Sequence, residues 1–228
     1  VSRSLLRALL PAAMLVLLSF AVVLSFSRGA WINLAMAVAV YVYLAIVLSP
    51  TNWQRLKLMV FVAAGAIVAG CGLVALSEVP EIGRVLEDRA TLTQSYDEGP
   101  EGRFGGQRKA LGLIAENPLG IGALEFAATH HFEDVHNVYL SMFLNAGWIG
   151  GILFAVLVAM TCVYGFDHAL KRTATQPLFL VAYAAFIAHA AEGFVVDIDH
   201  WRHFYLLMAL IWGLLVSDRE LMRELVHT

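Results

Sequence analysis

Residues 136–166 read HNVYLSMFLNAGWIGGILFAVLVAMTCVYGF, and the way this stretch divides decides the fold. It holds no Asp, Glu, Lys or Arg. As one straight helix it would measure about 46 Å, well beyond a hydrocarbon core of roughly 30 Å. A break is therefore expected near Gly147: a short helix at or dipping into the interface, then a span from about Trp148. His136 and Asn137 open the stretch where a polar segment meets an apolar one. Histidine exchanges protons near neutral pH, so the boundary is a good place for one. A His-Asn pair also serves there as a plain helix cap.

Composition sets the class. The chain has 228 residues, 60% hydrophobic and 14% charged, with a mean hydropathy of +0.73. A soluble domain carries about 25% charged residues, so this is an integral membrane protein. The net charge of -3 points to no nucleic-acid partner. Cys71 and Cys162 both lie in apolar runs and read as small buried hydrophobes. The chain opens at Val1 and is expected to be a fragment.

Leu5 to Phe26 is a first span, with no signal-peptide cleavage pattern before the next run begins. Ala30 to Leu48 is a second, across a tight turn at Arg28-Gly29, and Leu58 to Leu76 a third. The spacing of Ala110, Leu111, Leu113 and Ile114 predicts a helix over Phe104 to Glu116, stopped by Asn117-Pro118-Leu119-Gly120-Ile121-Gly122. Asp97 to Gly102 reads as a turn. Pro177 to Val195 and Phe204 to Val216 complete about six spans, and Asp218 to Thr228 is a charged tail. The fold class is all-α, a polytopic helical membrane protein with one outward helical loop domain. Three parts are expected: residues 1–77 with three spans, the loop domain 78–135, and residues 136–228 with an interfacial helix and three spans.

With the N-terminus inside, the inner segments hold Arg3, Arg7, Arg55, Lys57, Lys171, Arg172, Arg219 and Arg223. The short outer loops hold only Arg28 and Arg202. This positive-inside bias places both termini in the cytoplasm and the loop domain outside. Arg28 and Arg202 run against the bias, each beside a tryptophan. One such arginine commonly snorkels to lipid phosphate. Two of them, with Arg103 or Arg108 and with His136, His200 and His203 on one face, suit an anionic phosphate-bearing substrate, because guanidinium forks match phosphate oxygens.

Other patterns carry less. His130-His131 with His136 lacks the His-Glu-x-x-His spacing of a zinc site. Asp197-Ile198-Asp199 has the look of a metal-holding acidic pair, but on the outer side helix-end polarity or a hydrogen bond to a sugar hydroxyl fits better. His189 and Glu192, one turn apart within a span, are either functional or a mutual structural pair. No Walker loop or Gly-x-Ser-x-Gly elbow is present.

Taken in order, four motifs resemble the O-antigen ligase and polymerase family of bacterial envelope polysaccharide assembly. Ser27-Arg28-Gly29-Ala30-Trp31 resembles its Ser-Arg-Gly turn. Gly102-Arg103 with Ala110-Leu111 and Asn117–Gly122 resembles its loop signature. His136-Asn137-Val138-Tyr139-Leu140 with Gly147 and Gly150 resembles its His-Asn-x-Tyr-Leu segment, and Asp199-His200-Trp201-Arg202-His203-Phe204 its last outer turn. Gln107 stands where many members have tryptophan, and Asn145 where many have glutamate. The family's usual earlier spans do not precede these motifs in the sequence.

The resemblance implies a glycosyltransferase of the bacterial inner membrane, active on its periplasmic face, with no metal or other cofactor. The donor would be an undecaprenyl-diphosphate-linked glycan and the acceptor lipid A core or another glycan. His136 would be the base, and Arg28, Arg103 and Arg202 would hold the diphosphate. Asn137, Tyr139, Asp199, His200 and His203 would contact substrate. A polymerase or a protein O-oligosaccharyltransferase differs only in acceptor or product. A non-catalytic transporter or lipid-binding protein would use the same arginines without needing a base.

Overall fold

The computed structural model describes residues 3–90, 99, 100 and 102–227. Helices account for the regular structure there, with no strand among the described residues. Half of the turn expected over 97–102, residues 97, 98 and 101, lies outside them, as do the side chains of Arg3, Arg7 and Arg223. The helices are α1 (Arg3–Leu24), α2 (Arg28–Leu48), α3 (Asn52–Ser77), α4 (Pro80–Ala90), α5 (Arg103–Glu116), α6 (Val138–Ala169), α7 (Gln176–Glu192) and α8 (Arg202–His227), with a short π-helical turn at Phe126–His130.

Among the described residues, three helices are long and apolar enough to cross a membrane by length and composition: α2, α3 and α6. Phe61 on α3 is 78% exposed and Val68 72%. A row of such side chains has no place against water, and it marks a lipid-facing surface. The protein is an all-α membrane protein.

The chain forms two compact units. The first comprises Val1–Ala35 with Met59–Leu92, and the second Met36–Leu58 with Thr93–Thr228. In the first, the turn after α1 is built by its own sequence. Phe26 takes a positive φ of 51°. The Ser27 hydroxyl accepts from the Ala30 N–H at 3.3 Å, capping α2. The Trp31 indole donates to the carbonyls of Val22 and Val23 at 3.0 and 3.3 Å, satisfying groups that the end of α1 leaves open.

The second unit is organised by α6, α7 and α8. Phe179, Phe186, Phe204, Ile198 and Ile211 are fully buried between them. Buried polar bonds tie the helices: the Tyr183 hydroxyl donates to the Cys162 carbonyl at 2.7 Å, and the Trp212 indole to Thr161 Oγ1 at 2.9 Å. Both cysteines are free thiols. The helix α8 runs on through the expected charged tail, because Asp218 is drawn inward: its Oδ2 lies 2.9 Å from His168 Nε2 and accepts from the Thr175 hydroxyl at 2.6 Å. Burial raises the Asp218 carboxyl, but the hydrogen bonds from Thr175 and His168 help to outweigh it and the group is held below the usual range.

The expected break in α6 is at Gly147, with φ 69° and ψ −173°. Only glycine occupies that region readily. What fills the break is the segment Asn117–Gly122, two bends away in sequence. The Ile121 N–H donates to the Leu144 carbonyl at 2.7 Å, and the Trp148 N–H to the Pro118 carbonyl at 2.9 Å. The broken ladder of α6 is thus completed by the loop that ends α5.

Candidate functional site

The second unit gathers most of the polar residues expected at the site. His136 stands one residue before the Asn137 cap of α6, with a positive φ of 51°. Histidine tolerates this conformation better than most residues, yet it needs support. Gln107 on α5 supplies it: its Nε2 donates to the His136 carbonyl at 3.2 Å and to the Phe194 carbonyl at 3.3 Å. One amide thereby joins α5, the entry to α6 and the turn after α7. The His136 side chain is 33% exposed, and its Nε2 lies 3.4 Å from the Glu133 carboxylate.

Asn137 is the helix cap that the sequence allowed. Its Oδ1 accepts from the Tyr139 and Leu140 N–H groups at 3.0 and 3.1 Å, and its Nδ2 donates to the Phe194 carbonyl at 3.1 Å. The Tyr139 hydroxyl donates to the Ala190 carbonyl at 2.6 Å, and its ring lies 4.5 Å from that of Phe194. The Val138 N–H donates to the Gly193 carbonyl at 2.8 Å. The start of α6 is therefore bound to the end of α7 at several points, which fixes the backbone that carries His136.

Arg103 opens α5, four residues before Gln107. Residues at that spacing share a helix face, so Arg103 lies on the side of α5 that meets His136. Arg202 opens α8 and is exposed; Arg108 is exposed on α5. Arg28 opens α2 and belongs to the first unit. Asp199 is paired with His200 through Oδ1 and Nδ1 at 3.0 Å. His203 turns instead toward a ring cluster, 4.9 Å from His189 and 5.1 Å from Trp201. His189 also hydrogen-bonds the Ala185 carbonyl of its own helix at 2.8 Å. His131 is packed between Phe126 and Phe132, and Lys109 holds the His130 carbonyl. Among the described residues, no three His, Cys, Asp or Glu side chains are grouped to share a metal ion.

Next to His136 is a cavity of about 210 Å³, lined by Leu124, Phe126, Asp134, Val135, Ser141, Leu144, Asn145, Asp197, Asp199 and His200. Ser141 and Asn145 sit one turn apart on the short first segment of α6 and are hydrogen-bonded at 3.3 Å. Burial pushes the Asp197 carboxyl up to about 6; the Asp199 and Asp134 carboxylates add to this, while the Ser141 hydroxyl and His136 oppose it. The sequence motifs pointed at Asp199 and His200 in this cavity but left Ser141 unremarked. Gln107 and Asn145 were visible only as departures from a pattern. Their roles depend on which carbonyl or hydroxyl they meet across the fold.

Compared with known proteins, residues 13–155 match the family described as O-antigen ligase. No curated protein and no solved structure matches the chain. The matched region takes in the Ser27–Trp31 turn, α5, the Asn117–Gly122 segment and His136 with the break in α6. That family's function is O-antigen ligase- or polymerase-like and membrane-bound, with a lipid-linked glycan and a glycan acceptor as partners in general. More than half of the 228 residues are matched, and the chain belongs to the O-antigen ligase family.

Proposed function

We propose that this protein is a glycosyltransferase of the bacterial inner membrane that moves a glycan from undecaprenyl diphosphate to a hydroxyl of lipid A core or of another glycan. The reaction takes place at the periplasmic face. The observation that carries the reading is the setting of His136. It is a histidine in a strained conformation at a loop–helix boundary, part exposed, with a carboxylate at 3.4 Å from its ring. A backbone conformation of this kind clusters at functional sites, and a neighbouring carboxylate orients an imidazole.

In the step, His136 takes the proton of the acceptor hydroxyl as that oxygen bonds to the anomeric carbon. The bond from that carbon to the diphosphate oxygen breaks, and the lipid diphosphate leaves with the electron pair. The imidazolium then releases its proton to solvent. Arg28, Arg103 and Arg202 stabilise the departing charge, the task a metal performs in other glycosyl transfers. Arg103 is supported by its place on the α5 face that meets His136. Arg28 and Arg202 are included on the sequence argument. Asn137 and Tyr139 shape the substrate site through the backbone they hold; Asp199, His200 and His203 complete it on the α7–α8 side.

The test is transfer by purified protein in lipid nanodiscs, supplied with lipid-linked donor and candidate acceptors. Removing a general base costs about 10²–10⁴-fold. His136→Ala should lose that much while retaining its fold. Wild-type turnover by His136→Ala would show the histidine to be only part of the cap. A transporter would form no new glycosidic bond at all. Lipopolysaccharide gels of a null strain separate the acceptor classes: loss of every ladder band on the core marks a ligase, and a single retained repeat marks a polymerase.

A further inference from the structure

The cavity beside His136 has the wrong charge for a diphosphate. Asp134, Asp197 and Asp199 line it, and no lysine or arginine does among the described residues. Asp197 lines the cavity, and its Oδ1 atom is buried with no hydrogen-bond partner among the described residues. Ser141, itself buried, and Asn145 also line it, the Asn145 amide donating to the Ser141 hydroxyl at 3.3 Å. Leu124, Val135 and Leu144 supply apolar surface. Leu124 takes a positive φ of 64°, uncommon for a residue other than glycine, and is 80% exposed.

These groups match one chemistry. A sugar ring offers several hydroxyl donors around its edge and an apolar C–H face. Carboxylates accept from hydroxyls in short, strong hydrogen bonds. The volume of about 210 Å³ falls below the ~300–1,000 Å³ of pockets for drug-sized ligands, and suits one ring, not an oligosaccharide with its lipid.

We propose that this acidic cavity is the subsite for the acceptor sugar, that it takes a single uncharged or amino-bearing pyranose ring, and that it rejects both anionic sugars and the donor diphosphate. The assignment rests on the reading of His136 as the base. An acceptor ring held against Asp197 and Ser141 lies next to the residue that must take its proton, while the diphosphate is left to the arginines outside the cavity. Burial keeps the Asp197 carboxyl partly protonated near pH 6, so it can also donate to a ring oxygen there. Uronic and phosphorylated sugars bring a negative charge toward three carboxylates, and like charges in close contact are strongly disfavoured.

The test is binding by saturation-transfer difference NMR, with the purified protein in nanodiscs of neutral lipid at pH 7.5. The probes are methyl glucopyranoside, its 2-amino analogue, methyl glucuronide and inorganic pyrophosphate. The neutral and amino glycosides should bind saturably, the glucuronide about tenfold or more weakly. Pyrophosphate should not displace the neutral probe. In Asp134→Asn/Asp199→Asn, the glucuronide should approach the neutral glycoside. Equal binding of glucuronide and neutral glycoside by wild type, displacement by pyrophosphate, or no saturable glycoside binding would each overturn the assignment. These wild-type arms stand even if the double variant fails to fold. No donor is present, so the result is independent of whether transfer occurs. Charge-blind binding by a protein that does transfer glycan sinks the cavity assignment alone. Charge-selective binding by a protein that forms no glycosidic bond sinks the reaction alone.

Discussion

Gly147→Ala should break the joint between α5 and α6. The glycine holds φ 69° and ψ −173°, a region that costs other residues about 1–3 kcal/mol. A Cβ there would lie 2.7 Å from both the Leu119 carbonyl carbon and the Pro118 oxygen. These are backbone atoms, so no rotamer change relieves the contact. The loop must move away, which lengthens the bonds Ile121 N–H to Leu144 O (2.7 Å) and Trp148 N–H to Pro118 O (2.9 Å). Each is worth about 0.5–1.5 kcal/mol net. The sum is a loss of about 2–6 kcal/mol. Gly120→Ala should act the same way, because its φ is 82° and its Cβ would meet the Leu144 oxygen at 2.6 Å. Gly112 is the control: it is in the helix α5, with nothing within 4 Å of an added Cβ. Gly112→Ala should be neutral or gain roughly 0.5–1 kcal/mol. Thermal and urea unfolding in detergent micelles measures all three. Transfer activity should fall with Gly147→Ala, since α5 carries the Gln107 that supports His136. If Gly147→Ala unfolds within about 0.5 kcal/mol of Gly112→Ala, the break is not held by backbone contact.

The Asp197 carboxyl titrates near 6 in the folded protein against an ordinary 3.8, so the folded state binds the extra proton between those values. Stability should therefore fall as pH rises from about 4 to about 6, and Asp197→Asn should flatten that part of the melting-temperature profile; an unchanged profile would refute it. Asp218→Ala leaves the buried His168 without its 2.9 Å partner and should cost about 3 kcal/mol in unfolding, whereas a loss under about 0.5 kcal/mol would mean the pair contributes little. Arg28→Lys keeps the charge but not the planar fork and should impair transfer, while wild-type activity in Arg28→Ala would make this residue a lipid-headgroup anchor. A reporter inserted at residues 99–100 should read as periplasmic, and a cytoplasmic signal would overturn the proposed orientation.

The sequence by itself determined the class and the local elements. A chain with so few charges has to bury its backbone polar groups in helices within lipid, so the apolar runs located the long helices, although α3 begins at Asn52 and α8 runs on to His227, beyond the runs that marked them. The break at Gly147 was legible because no helix of that length fits a bilayer, and Asn137 as a cap because its amide acts on the two residues that follow. The helix α4 was legible in principle, since Ile82, Val85 and Leu86 recur at helical spacing, whereas the π-helical turn over Phe126–His130 is too short to show a period. Tertiary structure alone decided the partners. Nothing in Asn117–Gly122 says that it completes a hydrogen-bond ladder in α6, and nothing in Gln107 says that its amide spans two carbonyls 29 and 87 residues away. The acidic cavity is likewise assembled from Asp134, Ser141, Asn145, Asp197 and Asp199, on three separate segments. Such contacts follow from helix packing, where small shifts change which groups meet, and sequence order holds no record of them.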